Sequence, residues 1–317
     1  MKIAVLDGYA LNPGDMSWQA FKDLGDLTVY DRTAANETAQ RIGDAEVVLT
    51  NKTPLPAETL KAAPKLKYIG VLATGYNIVD VPAAQELGIT VTNVPGYSTA
   101  SVAQTTFALL LEICLRAGDH NNAVHEGRWV SSKDFSFRDF PLIDLAGKTM
   151  GIIGLGTIGK AVARIAKAFG METIAHSRSQ SEDGRVCADY VSLDELLGRS
   201  DVISLHCSAN PGSIGMINKD AIAKMKDSVI LINTARGTIV VEEDLAAALD
   251  SGKIYAAGLD VISEEPMKAG NPLLSAKNCI FTPHFAWATQ DSRKLCMEIA
   301  AANIQEFLKG TPVNTVQ

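Results

Sequence analysis

Residues 148–179 read KTMGIIGLGTIGKAVARIAKAFGMETIAHSRS, and no other segment limits the possible folds so tightly. Thr149 to Ile153 is an apolar strand. Gly154, Gly156 and Gly159 make a GxGxxG turn, and a helix follows with Ile158, Val162, Ile165, Ala166 and Phe169 along one side. A second strand runs from Glu172 to Ala175. Strand, glycine turn, helix and strand in succession are half of a Rossmann fold. Gly154 permits the tight turn, Gly156 lets backbone approach a pyrophosphate, and Gly159 lets helix and strand pack closely. Thr157 and Ile158 open the helix, whose free N–H groups and positive dipole end suit phosphates.

The end of the second strand selects the dinucleotide. NAD binders usually place Asp or Glu there, about 20 residues past the first glycine, to hold the ribose 2′-hydroxyl. This chain has His176, Ser177, Arg178 and Ser179, and the next carboxylate is Glu182. A carboxylate would repel the 2′-phosphate of NADP, whereas a guanidinium and two hydroxyls can bind it. The pattern favours NADP(H), with NAD(H) still possible and a simple solvated role for Arg178 left open.

The chain has 317 residues, more than one comfortable core, so two domains are expected. Hydrophobic residues make up 47% and the formal net charge is −7. No apolar run approaches the ~20 residues of a membrane span. No Lys/Arg cluster suggests a nucleic-acid surface. The N-terminus enters a strand without a signal-type apolar region. The five cysteines, Cys114, Cys187, Cys207, Cys279 and Cys296, are scattered without metal spacing. They fit reduced thiols in a cytoplasmic protein, with Cys114 and Cys279 as small core hydrophobes.

Before the glycine turn, short strands (KIAVLDG, DLTVYDR, AEVVLTN, LKYIGVLATG, ITVTNVPG) alternate with helices expected at Met16 to Leu24, Glu37 to Ile42, Pro56 to Ala63 and VDVPAAQELG. Alternation of this kind means a parallel sheet, here a flavodoxin-like α/β unit. Asp80 and the following proline open the last of those helices. Ser98 to Leu115 is a long apolar helix, and 121–145 is a polar, aromatic stretch with little periodicity. After the Rossmann half come strands DVISLHC, SVILINTA, YAAGLDV and CIFTPHF, with helices at Leu193 to Leu197, Lys219 to Lys224 and Glu242 to Ser251. A closing helix, Ala288 to Lys309, is expected to return to the N-terminal unit. The predicted architecture is α/β with two doubly wound parallel-sheet domains: a Rossmann cofactor domain (99–287) inserted into a flavodoxin-like substrate domain (1–98 and 288–317).

Three ionisable residues follow strands, where α/β sheets place their ligand crevice. Arg236 lies in LINTARG, Glu265 in LDVISEEP and His284 in FTPHFAW. With NVPGYSTASVAQ and the glycine turn, in this order, these segments resemble the D-isomer-specific 2-hydroxyacid dehydrogenases over essentially the full length. LATGYNIVDV and HFAWAT look most like the short bacterial glycerate dehydrogenases, also called hydroxypyruvate or glyoxylate reductases.

The resemblance implies roles. Arg236 would pair with a 2-oxoacid carboxylate, which a planar guanidinium fork suits. His284 would be the acid/base, since imidazole titrates near neutrality. Glu265 would orient that imidazole and favour its protonated form. Ala73, Thr74 and Gly75 match a loop whose N–H groups hold the substrate carboxylate, and Lys52 is a further substrate-binding candidate or a solvated lysine. Thr234, Ala235, Asp260 and His284 match contacts to the nicotinamide, Cys207 and the residues up to Gly212 a loop along the adenosine, and Trp287 a pocket wall or a hinge contact. Residues 121–145 match a homodimer interface.

Two departures stand out: the NAD-type acidic residue is missing, and Gln104 occupies a position where many members carry glutamate. The sequence leaves open which small 2-hydroxyacid is handled, D-lactate included. It also leaves open a nucleotide-sensing binding protein on the same scaffold, as in the C-terminal binding protein corepressors.

Overall fold

Strand segments in this chain are apolar at successive positions, which happens when both faces of a sheet are covered. In the computed structural model, which describes residues 1–316, the chain divides into two compact units, 1–98 with 288–316 and 99–287.

The first unit holds five parallel strands, β1 (Lys2–Val5), β2 (Asp26–Val29), β3 (Val47–Thr50), β4 (Tyr68–Val71) and β5 (Thr90–Thr92). Their spatial order is β2-β1-β3-β4-β5, the flavodoxin-like arrangement. Val48, Ile69 and Val91 pack with Leu60 and Ala84 from the helices Ala57–Lys61 and Val81–Glu86. Asp80 caps the second of these by accepting from Ala83 N at 3.1 Å. The C-terminal helix Gln290–Leu308 belongs to this unit, with Phe307 against Tyr68 of β4 at 4.9 Å between ring centroids. Arg293 on that helix is buried and binds Asp15 through Nη1 and Nη2, at 2.9 and 2.6 Å.

The second unit holds seven parallel strands: β6 (Thr149–Ile153), β7 (Glu172–His176), β8 (Asp189–Tyr190), β9 (Val202–Leu205), β10 (Val229–Asn233), β11 (Ile254–Leu259) and β12 (Cys279–Phe281). Their order is β12-β11-β10-β9-β6-β7-β8, a Rossmann sheet extended by one strand. Neighbouring residues of each strand enter opposite cores. Ile152, Val202, Ile230 and Ala256 join the helices Thr99–Leu115 and Thr157–Ala168, while Ile153, Ile203, Leu231 and Ala257 join Leu196, Ile222 and Leu245 on the other side. Each such Ile or Leu contributes roughly 1.5–3 kcal/mol on burial. The strand order reverses between β6 and β9, which is where open α/β sheets bind ligands.

Several local expectations needed correction. The helix expected at Met16 to Leu24 is only Gln19–Lys22, because the Asn12 side chain closes residues 12–16 into a loop, accepting from Gly14 N and Met16 N at 3.1 and 3.0 Å. A helix, Ala117–His125, occupies the start of the aromatic stretch, and residues 126–148 carry neither helix nor strand. The helix Glu182–Cys187 and strand β8 had no periodic signal at all. Cys279 is half-buried rather than buried, while Cys114 is fully buried, and burial pushes its thiol up to about 11. No single helix among the described residues is long and apolar enough to cross a membrane.

Candidate active site

The glycine turn sits at the strand-order reversal, and each glycine has a separate physical reason. Gly154 has a φ of +98°, and a Cβ there would lie 2.6 Å from the Cys207 backbone nitrogen beyond β9. A Cβ on Gly159 would lie 2.2 Å from the Gly154 carbonyl oxygen. Around Gly156, by contrast, a Cβ would meet nothing within 4 Å. Two glycines thus close the turn, and the third leaves a bare backbone surface that a side chain would fill. No side chain caps the helix Thr157–Ala168, so its first N–H groups, including those of Thr157 and Ile158, lack intrahelical partners. This bare, donor-rich turn fits a dinucleotide pyrophosphate.

Gly154 N donates to His176 O at 2.8 Å, tying the turn to the end of β7. His176 and Ser177 are half-buried, and Arg178 and Ser179 are exposed. Arg178 has no ion-pair partner among the described residues. The nearby Asp183 is engaged by Lys160, which holds its carboxyl down to about 2. Beyond β9, Cys207 is half-buried, burial pushes its thiol up, and the following loop is closed by Ser213 Oγ donating to Ser208 O at 2.7 Å. His206, one residue earlier, lies 2.8 Å from Ser204 Oγ through Nε2, and burial pushes its imidazole down to about 4.

The catalytic candidates of the second unit follow β10, β11 and β12. Glu265 and His284 meet, with Oε2 of the carboxylate 2.6 Å from Nδ1 of the ring. His284 has a φ of +50°, a left-handed conformation costing roughly 1–2 kcal/mol in a non-glycine residue. Its N–H donates to Asp260 O at 2.8 Å, and the Asp260 carboxylate gathers the rest of the turn. That carboxylate accepts from Thr282 Oγ1 at 2.6 Å, Phe285 N at 3.0 Å and Ala286 N at 3.1 Å. Burial pushes the Asp260 carboxyl up, and these donors oppose the shift. Asp260 therefore shapes the histidine turn, a role the sequence did not suggest.

Arg236 is exposed and extended, with Nη1 donating to Ala235 O at 2.7 Å. Asn233 holds its backbone by donating through Nδ2 to Arg236 O at 2.9 Å and accepting from Ala235 N at 3.0 Å. The Thr234 hydroxyl lies 3.1 Å from that of Thr106. Gly237, which follows, carries the tightest contact of the site: a Cβ there would lie 1.8 Å from the Ile262 carbonyl carbon. The arginine segment is thereby pressed against the loop that bears Glu265. Gly237, Asp260 as organiser, and Glu242 behind the loop are contributions that need long-range contacts to be seen.

In the first unit, Lys52 is exposed, and its backbone N–H with those of Asn51 and Thr53 donates to the Asp7 carboxylate at 2.5, 2.7 and 2.7 Å. The loop 73–75 is anchored by Asn93 Nδ2 donating to Thr74 O at 2.7 Å and by Thr74 Oγ1 donating to Val94 O at 3.0 Å. The N–H groups of Ala73, Thr74 and Gly75 have no acceptor among the described residues.

The family model described as D-isomer specific 2-hydroxyacid dehydrogenase, NAD binding domain, matches residues 107–286. Hydroxypyruvate reductase of Blautia hydrogenotrophica is 56% identical over 100% of this chain and 99% of its own length. Glycerate dehydrogenase of Methylorubrum extorquens is 39% identical, covering 100% of this chain and 99% of that one. Among solved structures, an acyclic imino acid reductase in complex with NADPH and D-Arg superposes with a TM-score of 0.88 at 28% identity, covering 100% of both chains. Histidine and glutamate joined beyond parallel strands, a bare glycine turn at the strand reversal and full-length likeness lead to one conclusion. The chain belongs to the D-isomer-specific 2-hydroxyacid dehydrogenases and is an oxidoreductase of the 2-hydroxyacid class with a nicotinamide cofactor.

Proposed function

We propose that the enzyme reduces hydroxypyruvate and glyoxylate to D-glycerate and glycolate, with NADP(H) favoured over NAD(H). The observation that carries the mechanism is the 2.6 Å contact between Glu265 and His284 Nδ1. With Nδ1 committed to the carboxylate, Nε2 is the ring nitrogen that gives a proton to the substrate carbonyl oxygen. Glu265 fixes the ring and stabilises the charge it carries as an acid. The Arg236 fork pairs with the substrate carboxylate. The three N–H groups at 73–75 are donors suited to an anionic substrate group, with Lys52 as an added positive charge. When bound, the cofactor supplies the hydride that reaches the carbonyl carbon. Its pyrophosphate is assigned to Gly154, Gly156, Thr157, Ile158 and Gly159, and its adenosine side to Cys207. The ribose end is assigned to His176, Ser177, Arg178 and Ser179, and the nicotinamide to Thr234, Ala235, Asp260 and His284. The exposed guanidinium of Arg178, unopposed by a carboxylate at the end of β7, supports the preference for a 2′-phosphate. The name of the 56%-identical relative supports the substrate. The exposed aromatics of 121–145 support a homodimer built on that segment.

The test is kcat/KM for hydroxypyruvate and glyoxylate with NADPH and with NADH, on the native enzyme, R178A and H284A. The native enzyme should prefer NADPH, R178A should lose that preference, and H284A should lose about 10²–10⁴ in turnover with cofactor binding retained. Turnover unchanged in H284A would remove the acid, and a native preference for NADH would remove the NADP(H) assignment.

A further inference from the structure

Glu265 stands in an irregular stretch of chain between the end of β11 and the short 3-10 turn Pro272–Leu274, so no ladder or helix fixes its position. Loops of that length inside a compact unit need specific anchors. One buried carboxylate supplies two of them. Glu242, the first residue of the helix Glu242–Ser251, is 9% exposed. Its Oε1 accepts from Ser263 N at 2.7 Å and its Oε2 from Asn271 Nδ2 at 2.7 Å. Ser263 and Asn271 flank Glu265 on either side, so a single side chain holds both ends of the segment that carries it. Asn271 is itself fixed, since its Oδ1 accepts from Leu273 N at 2.9 Å. On the near side, Gly237 abuts Ile262, and Ile262 N donates to Glu265 Oε1 at 3.3 Å.

Burying a carboxylate is costly, and charge-assisted bonds to two donors at a helix N-terminus are what make it tolerable. A purely structural tie between helix and loop could be made by neutral groups. A carboxylate accepts twice with no donor of its own, so it fixes both donors in one geometry. Burial and the neighbouring Glu242 charge push the Cys279 thiol up to about 12, so it brings no competing ion.

We propose that Glu242 is a positioning residue of the reaction: by clamping Ser263 and Asn271 it sets Glu265 at hydrogen-bond distance from His284. The proposal rests on the reading of His284 and Glu265 as the acid and its partner. Glu242 acts through them and touches no reactant. A glutamine at this position accepts through one oxygen only and turns an N–H₂ toward the second donor, so it releases one end of the loop.

The experiment compares the pH dependence of kcat/KM for hydroxypyruvate reduction in the native enzyme, E265Q, E242Q and the double variant, with thermal melts and cofactor binding alongside. E265Q should move the alkaline fall-off of the profile to lower pH. E242Q should move it the same way by less and lower kcat by about tenfold, with substrate KM changed little. The double variant should be no worse than E265Q alone, because both changes cut one linkage. If E265Q leaves the profile in place, the acid–base reading itself fails, and the proposal falls with it. If E265Q moves the profile while E242Q only lowers rate or melting temperature, or if the two losses multiply, Glu242 is a structural residue and the proposal is overturned. Should E242Q not fold, N271A keeps the carboxylate and its bond to Ser263 while freeing the far end. It should shift the profile in the same direction, and an unshifted profile there overturns the proposal equally.

Discussion

Gly237 has no side chain, yet its position governs how the arginine segment meets the glutamate loop. A methyl group 1.8 Å from the Ile262 carbonyl carbon cannot be absorbed by a rotamer change, because the obstacle is backbone. G237A should therefore push the two segments apart, moving both Arg236 and Glu265. Misplacement on the order of 1 Å can cost about 10²-fold in rate. We expect kcat/KM to fall by about that factor, more than any accompanying loss of melting temperature explains. A variant of native activity would show that the two segments tolerate separation. The same comparison explains what could be read from sequence at this scale. Arg236, Glu265 and His284 announce themselves as ionisable residues after strands, and the contact between the last two is found at 2.6 Å. Gly237 and Glu242 carry no such signal, since their importance comes from atoms about 20–30 positions away in the chain.

Strands of the second sheet were legible because their apolar runs face two cores at once. Ile152 and Ile153, or Leu231 and Ile232, leave no polar position that would disguise the element. Strand β8 was not legible: two residues at a sheet edge cannot display a period, and Gly184 weakens the helix before it. The helix drawn at Met16 to Leu24 failed for a different reason, since an asparagine side chain competed with the backbone for the hydrogen bonds of the first turn. The end of β9 yields a prediction about acid. His206 is held neutral in the folded chain, down to about 4, by burial. An unfolded histidine protonates near 6.5, so protons favour the unfolded chain as pH drops below that value. Stability from this source is complete above pH about 6.5 and declines toward pH about 4, by roughly 3–4 kcal/mol at most. Denaturant melts at pH 7 and pH 4.5 should show H206N losing less stability between the two pH values than the native chain. Equal losses would place the acid sensitivity elsewhere.

At the scale of the whole molecule, the segment after the helix Ala117–His125 is the most exposed apolar surface. Val130 and Phe135 are each 92% exposed, and Trp129 and Leu142 are exposed beside them in sequence. The Trp129 indole donates to Phe135 O at 2.9 Å, so the turn holds its own shape while leaving these side chains in water. Apolar side chains offered in this way suit a second copy of the chain. Light scattering should give a dimer for the native enzyme and half that mass for a V130D/F135D variant. A native monomer would end the homodimer assignment. One more consequence follows from the way the C-terminal helix completes the first unit. Phe307 packs on Tyr68, Asn303 donates to Asn93 O, and Thr315 bridges Thr92, so the first unit is completed by a segment made only after the intervening unit. The intervening unit closes on itself, with Ser101 donating to Ala286 O near its two ends. On the ribosome, the nucleotide-binding unit can thus be complete while the first unit still waits for its final helix.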